Sequence, residues 1–412
     1  MKISRLAAAL SVAIIPAITS ALDYKPVTHE RLVNPEPENW LMHKGNYQGW
    51  SYSSLEQITT GNVKKLGPVW SYATGVGSGH EASLLINNGY MFAITPYNQV
   101  LALNAKTGEL LWRYKREFPE GFSALHVTNR GVALWKDMVF VANLDCLLTA
   151  LDAKTGKIIW ESKVCDWREG AYITSAPVVV NGKVFVGPSG GEFGVRGYLK
   201  AFNGEDGKEE WHTWSVPGPG EKGHETWPQE GRWKDAYKIG GGTMWMPGNY
   251  DAKNNLLYWG VGNGSPWFGD QRPGDNLYVA SVLAMNADTG AIQSHFQYHW
   301  NDSWDWAGMN APTLIDLNRD GKQSPALISA QRNGYLYWLD RDDKGKKWRF
   351  DYMLANPPFG VEWKQQQKFI EREHEEQGPH CSLTLPLSRS LTSLLTASMI
   401  EKLSTFPFRV ES

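Results

Sequence analysis

Three side chains far apart in the chain, Glu192, Asn263 and Asp305, carry hard oxygens of the kind that Ca2+ takes as ligands. Each sits in a short, unusual frame: SGGEFG around Glu192, GNG around Asn263 and WDWA around Asp305. Glycine beside a polar residue lets backbone approach a flat ligand closely. Trp245 follows the glycine run Gly240–Gly242 and offers an aromatic floor on which such a ligand could stack. Gly79-His80-Glu81, Asn129-Arg130-Gly131 and Arg332-Asn333-Gly334 are further polar residues framed by glycine. Taken singly, each has a plain structural reading. Gly-Asn-Gly is commonly a turn, and Trp-Asp-Trp alone is more often a capped turn than a base.

A repeated hairpin must bring these segments together. ALNAKTG ending at Gly108 leads to Trp112, ALDAKTG ending at Gly156 to Trp160, and AFNGEDG ending at Gly207 to Trp211. AMNADTG ending at Gly290 keeps the turn but has Ser294 in the Trp position, and a looser copy carries Asp340 and Trp348. Each copy reads as apolar strand, Asx-Thr-Gly turn, apolar strand, with glycine supplying the positive φ of a tight hairpin. Copies start about fifty residues apart, the span of one four-stranded propeller blade. The exception is the interval between the third and fourth copies, which predicts an inserted loop over about 211–240. Docking of the Trp between neighbouring blades accounts for the 20 Trp of this chain, and a β-sandwich gives no such reason. The expected fold is an all-β propeller of five to six blades, counting a first strand near Trp70. The chemistry-bearing segments lie upstream of each blade's turn, where they can converge on the propeller axis.

Lys+Arg number 41 against Asp+Glu 43 in 412 residues, a balance that argues against nucleic acid or an anionic membrane surface as partner. Lys2, Arg5, the apolar stretch Leu6 to Ile18 and Thr19-Ser20-Ala21 predict a signal peptide over 1–21, hence an exported, periplasmic protein. No segment reads as a transmembrane span. The propeller is expected over 22–363. Residues 364–412, which contain no Trp, break the pattern as an atypical tail. Cys146 and Cys165 flank the turn at Thr155-Gly156 symmetrically. An unslipped register would pair them as a disulfide, a one-residue bulge would part them, and two free buried thiols are the alternative. Asp316-Leu-Asn318-Arg-Asp320-Gly321 opens like an EF-hand loop but has Leu327 at the twelfth position, so it is read as a hairpin turn.

Together and in this order, SGGEFGVRGYLKAF, GNGSPW, RPGDNLY and WDWAGMNAP resemble the quinoprotein alcohol dehydrogenases of the methanol/ethanol dehydrogenase family, from about Asn39 to Phe350. The resemblance implies an eight-bladed propeller holding pyrroloquinoline quinone and one metal ion on its axis. It implies that Glu192, Asn263 and Asp305 bind or neighbour the metal, that Asp305 is the catalytic base, and that Arg332 faces the reactive carbonyls. Trp245 would be the floor under the quinone, with Glu81, Arg130, Thr174, Ser189, Gly190, Gly191 and Thr243 bonding its carboxylates and edge. The implied reaction oxidises an alcohol to an aldehyde or ketone, with electrons passing to a cytochrome c or a membrane quinone pathway. Three departures stand out. Ala124-Leu125 replace the adjacent cysteines that relatives often carry. Ala307 stands where lanthanide users add an aspartate, which favours Ca2+ over a lanthanide. The last blades have no counterpart, so an inactive, truncated fragment is one alternative. A non-catalytic propeller of the outer-membrane assembly type is the other, though that lipoprotein needs a cysteine at its cleavage site and has no use for the three oxygen ligands.

Overall fold

The computed structural model describes residues 22–319, 322–341 and 350–355. Five four-stranded sheets follow one another, each an antiparallel meander. The first comprises β1 (Leu85–Asn87), β2 (Tyr90–Thr95), β3 (Gln99–Asn104) and β4 (Leu110–Lys115). The second comprises β5 (Ala133–Trp135), β6 (Met138–Ala142), β7 (Leu147–Asp152) and β8 (Ile158–Lys163). The third comprises β9 (Val178–Val180), β10 (Lys183–Val186), β11 (Tyr198–Asn203) and β12 (Glu209–Trp214). The fourth comprises β13 (Asn249–Asp251), β14 (Leu256–Gly260), β15 (Ser281–Asn286) and β16 (Ile292–Gln297). The fifth comprises β17 (Thr313–Arg319), β18 (Lys322–Ala330), β19 (Tyr335–Asp340) and β20 (Phe350–Ala355). These are propeller blades, and five of them match the repeat.

Two boundaries differ from expectation. No strand forms near Trp70; the first begins at Leu85, because it is the Trp70 indole, not its backbone, that the first blade engages. The insertion begins after Trp214, since Trp211 is itself paired within β12, and it holds short 3-10 turns at His224–Thr226, Gly231–Trp233 and Ala236–Ile239. The EF-hand-like segment is flanked by paired strands, with Arg319 opposite Lys322, as a hairpin requires. Residues 1–21, Trp348 and 364–412 lie outside the described residues.

One joint recurs between blades. The indole N–H of Trp70 donates to Ala105 O at 3.1 Å, Trp112 to Ala153 O at 2.9 Å, Trp160 to Gly204 O at 3.2 Å and Trp211 to Ala287 O at 3.2 Å. Each ring thereby lies on the Asx-Thr-Gly turn of the following blade. Within that turn Asp152 Oδ1 accepts from the Thr155 amide at 2.8 Å, and Gly156 takes φ +71°. A Cβ on Gly156 would stand 2.5 Å from the Trp112 ring, so glycine is required both for the backbone and for the space. Beside each Trp the fourth strand slips by one residue: Ala150 faces Trp160, but Leu151 faces Ile158. Where Ser294 replaces Trp, an ion pair links blades four and five, Arg341 Nη1 to Asp251 Oδ2 at 2.6 Å with both residues buried.

That slip puts Val164, not Cys165, opposite Cys146, whose carbonyl accepts the Val164 amide at 2.8 Å. The two cysteines are nevertheless disulfide-bonded, with Cα atoms 4.9 Å apart. Cys146 stands past the strand end at φ +72°, which turns its side chain toward the neighbouring residue.

A feature the sequence reading missed is the N-terminal clasp. Val27 bridges to Lys136, Trp40 pairs with Ile86, and Tyr47 OH donates to Val179 O at 2.6 Å. Tyr47 O accepts the Tyr250 amide at 3.1 Å, and Gln48 O accepts the Leu314 amide at 3.0 Å. Residues 27–48 thus reach the first strand, or the turn after it, of all five blades.

Replacing Trp112 tests the joint. Trp112→Phe keeps most of the ring but loses the N–H bond, and is expected to cost about 1–2 kcal/mol. Trp112→Ala leaves a cavity between two blades and is expected to cost about 3–5 kcal/mol. Urea denaturation followed by circular dichroism checks both; equal, small losses would mean that the indole does not join the blades.

Candidate functional site

Strand alternation decides where the candidate residues go. In a meander, the start of the first strand and the connection from second to third lie at one end of the blade, and the turn from third to fourth lies at the other. Glu81, Arg130, Thr174, Thr243, Trp245 and Asp305 all precede a first strand, whereas Ser189–Glu192, Asn263 and Arg332 sit in second-to-third connections. All twelve residues named from the sequence therefore lie at one end of the blades, opposite the Trp-bearing turns.

Two groups form there. In the first, Arg130 Nη2 is 2.8 Å from Glu81 Oε2, and the guanidinium lies over the Trp245 ring, 4.9 Å from its centroid. Arg130 also donates to Thr174 O through its backbone amide at 3.1 Å and through Nη1 at 3.3 Å. Burial pulls its pKa down while Glu81 opposes the shift. Thr174 Oγ1 and Ser189 Oγ are 2.9 Å apart and buried. A Cβ on Gly191 would stand 3.3 Å from Thr243 Oγ1, and one on Gly262 2.9 Å from Thr243 O and 3.3 Å from Trp245 Nε1. Gly190 takes φ +103° with Gly170 O pressed against it. A cation, an aromatic face, buried hydroxyls and glycine walls form a cradle suited to a flat, carboxylate-bearing ligand. His43, unnoticed in the sequence, supports it from below: its Nδ1 is 3.0 Å from Ser83 Oγ, and burial with nearby Lys44 and Arg130 holds its pKa down at about 4.

In the second group, Arg332 Nη1 donates to Asp305 O at 2.8 Å and lies 3.8 Å from its Oδ2. Asp305 sits in the left-handed region at φ +56°. Its pKa is raised by burial and by the Glu192 and Asp302 carboxylates, with Arg332 acting the other way. Glu192 is exposed and Asn263 is buried. Among the described residues no three His, Cys, Asp or Glu side chains converge. Glu192 and Asp305 nevertheless repel one another, a repulsion that a divalent cation would relieve. The Asn263 side chain makes one weak bond, from Nδ2 to Gly264 O at 3.4 Å.

Asp302 is the residue that sequence reasoning overlooked. Buried three residues before Asp305, it accepts the amides of Trp304 at 3.0 Å, Trp306 at 3.3 Å and Ala307 at 2.9 Å, and so holds the turn that presents Asp305. The signal was an Asx turn written as Asp-Ser-Trp. Beside the cradle, a cavity of about 300 Å3 is lined by Gly121, Ala124, Leu125, Trp167, Gly170 and Phe193, among others, with Ala124-Leu125 at its wall.

The Asp302 carboxyl yields a prediction. Burial alone would raise its pKa, but His299 and the Ala307 and Trp304 amides outweigh burial and hold it at about 2. Its contribution to stability is then fully present above the unfolded value of about 3.9 and is lost as pH falls through about 2. Asp302→Asn is expected to lower Tm at pH 6 and to flatten the fall in Tm between about pH 4 and 2; a variant whose Tm follows the parent curve through that window would contradict it.

Comparison with known proteins agrees with the fold. Residues 40–348 match the family model described as glucose/ethanol/alcohol dehydrogenase, beta-propeller domain. Quinoprotein alcohol dehydrogenase PedH of Pseudomonas putida is 37% identical over 354 residues, covering 81% of this chain and 59% of its own length. Methanol dehydrogenase [cytochrome c] subunit 1 of Methylorubrum extorquens is 35% identical over 371 residues, covering 83% of this chain and 58% of its own. A solved europium-containing methanol dehydrogenase superposes with a TM-score of 0.72 at 36% identity, covering 79% of this chain and 59% of that one. The chain thus spans about three fifths of the length of these relatives. By the match over 40–348, by identity and by blade architecture, this chain belongs to the family of pyrroloquinoline-quinone-dependent alcohol dehydrogenase β-propellers.

Proposed function

We propose that the chain carries the quinone and cation sites of a periplasmic alcohol dehydrogenase that oxidises an alcohol to an aldehyde or ketone. The observation that supports this best is the pairing of Asp305 with Arg332 at the blade end that also holds the Arg130–Trp245 cradle. Trp245 stacks under pyrroloquinoline quinone. Arg130, Thr174, Ser189 and Thr243 bond its carboxylates and edge, with Glu81 orienting Arg130 and Gly190 and Gly191 leaving room for the ring. Glu192, Asn263 and Asp305 hold Ca2+. When bound, such a quinone would supply the two-electron acceptor for the hydride of the alcohol carbon, and the cation the Lewis acidity that makes it a better acceptor.

The remaining chemistry belongs to side chains of this chain. A carboxylate of Asp305 takes the proton of the alcohol hydroxyl, and burial makes it a stronger base than an ordinary aspartate. Arg332 keeps Asp305 ionised enough to act and directs N–H donors toward charge that develops on the neighbouring acceptor oxygens. Electrons leave toward a cytochrome c or a membrane quinone; among the described residues no helix is long and apolar enough to cross a membrane. Export through the segment 1–21 belongs to the same proposal. A purely structural propeller has no use for a half-buried arginine over a tryptophan at the blade end that also carries Glu192, Asn263 and Asp305.

Reconstitution with the quinone and Ca2+, followed by alcohol-dependent reduction of an artificial dye, tests this reading. Asp305→Asn is expected to lower kcat by about 100-fold or more with quinone binding kept. Turnover that survives in this variant would remove Asp305 from the role of base. In the same preparation Ca2+ is expected to support quinone binding better than La3+, because Ala307 adds no carboxylate for a trivalent ion; equal or tighter binding with La3+ would overturn the metal assignment.

A further inference from the structure

The RPGDNLY segment contains an arginine that the reading above does not use. Arg272 has no exposed surface, and among the described residues its guanidinium meets no carboxylate oxygen within bonding distance. Its Nε donates to Pro266 O at 2.7 Å, Nη1 to Asn276 Oδ1 at 2.6 Å, and Nη2 to Trp267 O at 3.3 Å and to Asp302 O. Its Cζ would stand 2.6 Å from a Cβ on Gly264, so the guanidinium lies flat against the residue after Asn263.

These bonds run in two directions. Pro266 and Trp267 closely follow Asn263 in the connection from β14 to β15, and Asp302 is the residue that holds the Asp305 turn through three amides. The Asn263 loop is tied on its other side to the glycine run before Trp245: Gly241 bridges to Gly264, and the Gly242 amide donates to Asn263 O at 2.7 Å. Asn301 Nδ2 closes the frame by donating to Arg272 O at 3.2 Å and to Gly274 O at 2.8 Å. A fully buried guanidinium is costly unless its N–H groups are satisfied in a fixed geometry, and here the Asn276 side chain and backbone carbonyls of its own β14–β15 connection and of the Asp302 loop accept from it. Lysine, a point donor, cannot bridge both.

We propose that Arg272 is a positioning residue: its buried guanidinium clamps the Asn263 loop to the Asp305 loop and so sets the shape of the cation seat between them. The inference rests on the metal reading given above, but the clamp itself is testable without metal. Arg272→Lys keeps the charge and loses the fork. Gly264→Ala is the second variant; its backbone accepts alanine, and the added methyl displaces the guanidinium.

Hydrogen exchange on the metal-free chain reads the clamp. Both variants are expected to speed exchange of the Trp304, Trp306 and Ala307 amides by about 10-fold, with amides of β14 and β15 unchanged. Calorimetric titration with Ca2+ reads the consequence: affinity falls about 10-fold or more, as for residues that orient metal ligands, while quinone affinity changes less than about 2-fold. Unchanged exchange in both variants overturns the clamp. So does faster exchange throughout β14 and β15, which would mark Arg272 as a general fold residue. Faster exchange with unaltered Ca2+ affinity overturns its role at the cation seat. A parent chain that binds no Ca2+ overturns the metal reading and the cation seat with it, and the exchange result still decides the clamp.

Discussion

The joint between a tryptophan and the next blade's glycine carries the rest of the structure. Blades have no covalent tie other than the chain, and each presents an apolar face that must be covered by its neighbour. The indole does this with area and direction at once, because its N–H reaches one carbonyl and its ring lies on a glycine with no Cβ. Repeating the same bond at successive blades fixes their relative rotation. The ends of the blades then fall on one side, and the loops there have no choice but to meet.

From that constraint the site follows in layers. The first strands and second-to-third connections deliver the polar residues, and buried groups then fix their orientation. Asp302 holds the Asp305 turn, Thr174 and Ser189 pair beneath Arg130, and the disulfide of Cys146 and Cys165 staples the end of the second blade close to the segment that leads to Thr174. Loops alone would leave such residues imprecise; second-tier bonds to backbone give them geometry. The clasp by residues 27–48 adds a tie across all five blades at their first strands, independent of the tryptophan joints.

Much of this was legible in the sequence because turn chemistry is local. Asx-Thr-Gly with a following Trp specifies a hairpin and a docking ring within a dozen residues, so fold class could be read directly and the blade count narrowed to five or six. The cysteine pairing came out for a reason the symmetry count did not contain: the register slips beside Trp160, and the left-handed backbone at Cys146 restores the approach. Trp70 was misread as strand because an apolar residue in a repeat position looks the same whether its backbone or its ring is engaged. The clasp, Asp302 and Arg272 left little trace, since their partners are carbonyls and amides, which every residue has. A buried arginine whose partners are backbone oxygens and one asparagine has no acidic partner in the sequence to reveal it.

The central claim is that the blade ends of this chain assemble a quinone cradle floored by Trp245. Equilibrium dialysis of the purified chain with pyrroloquinoline quinone in the presence of Ca2+, beside Trp245→Ala, tests it most directly. One equivalent bound by the parent and at least a 10-fold weaker affinity in the variant is the predicted result. No saturable binding by the parent, or equal binding by the variant, would contradict it.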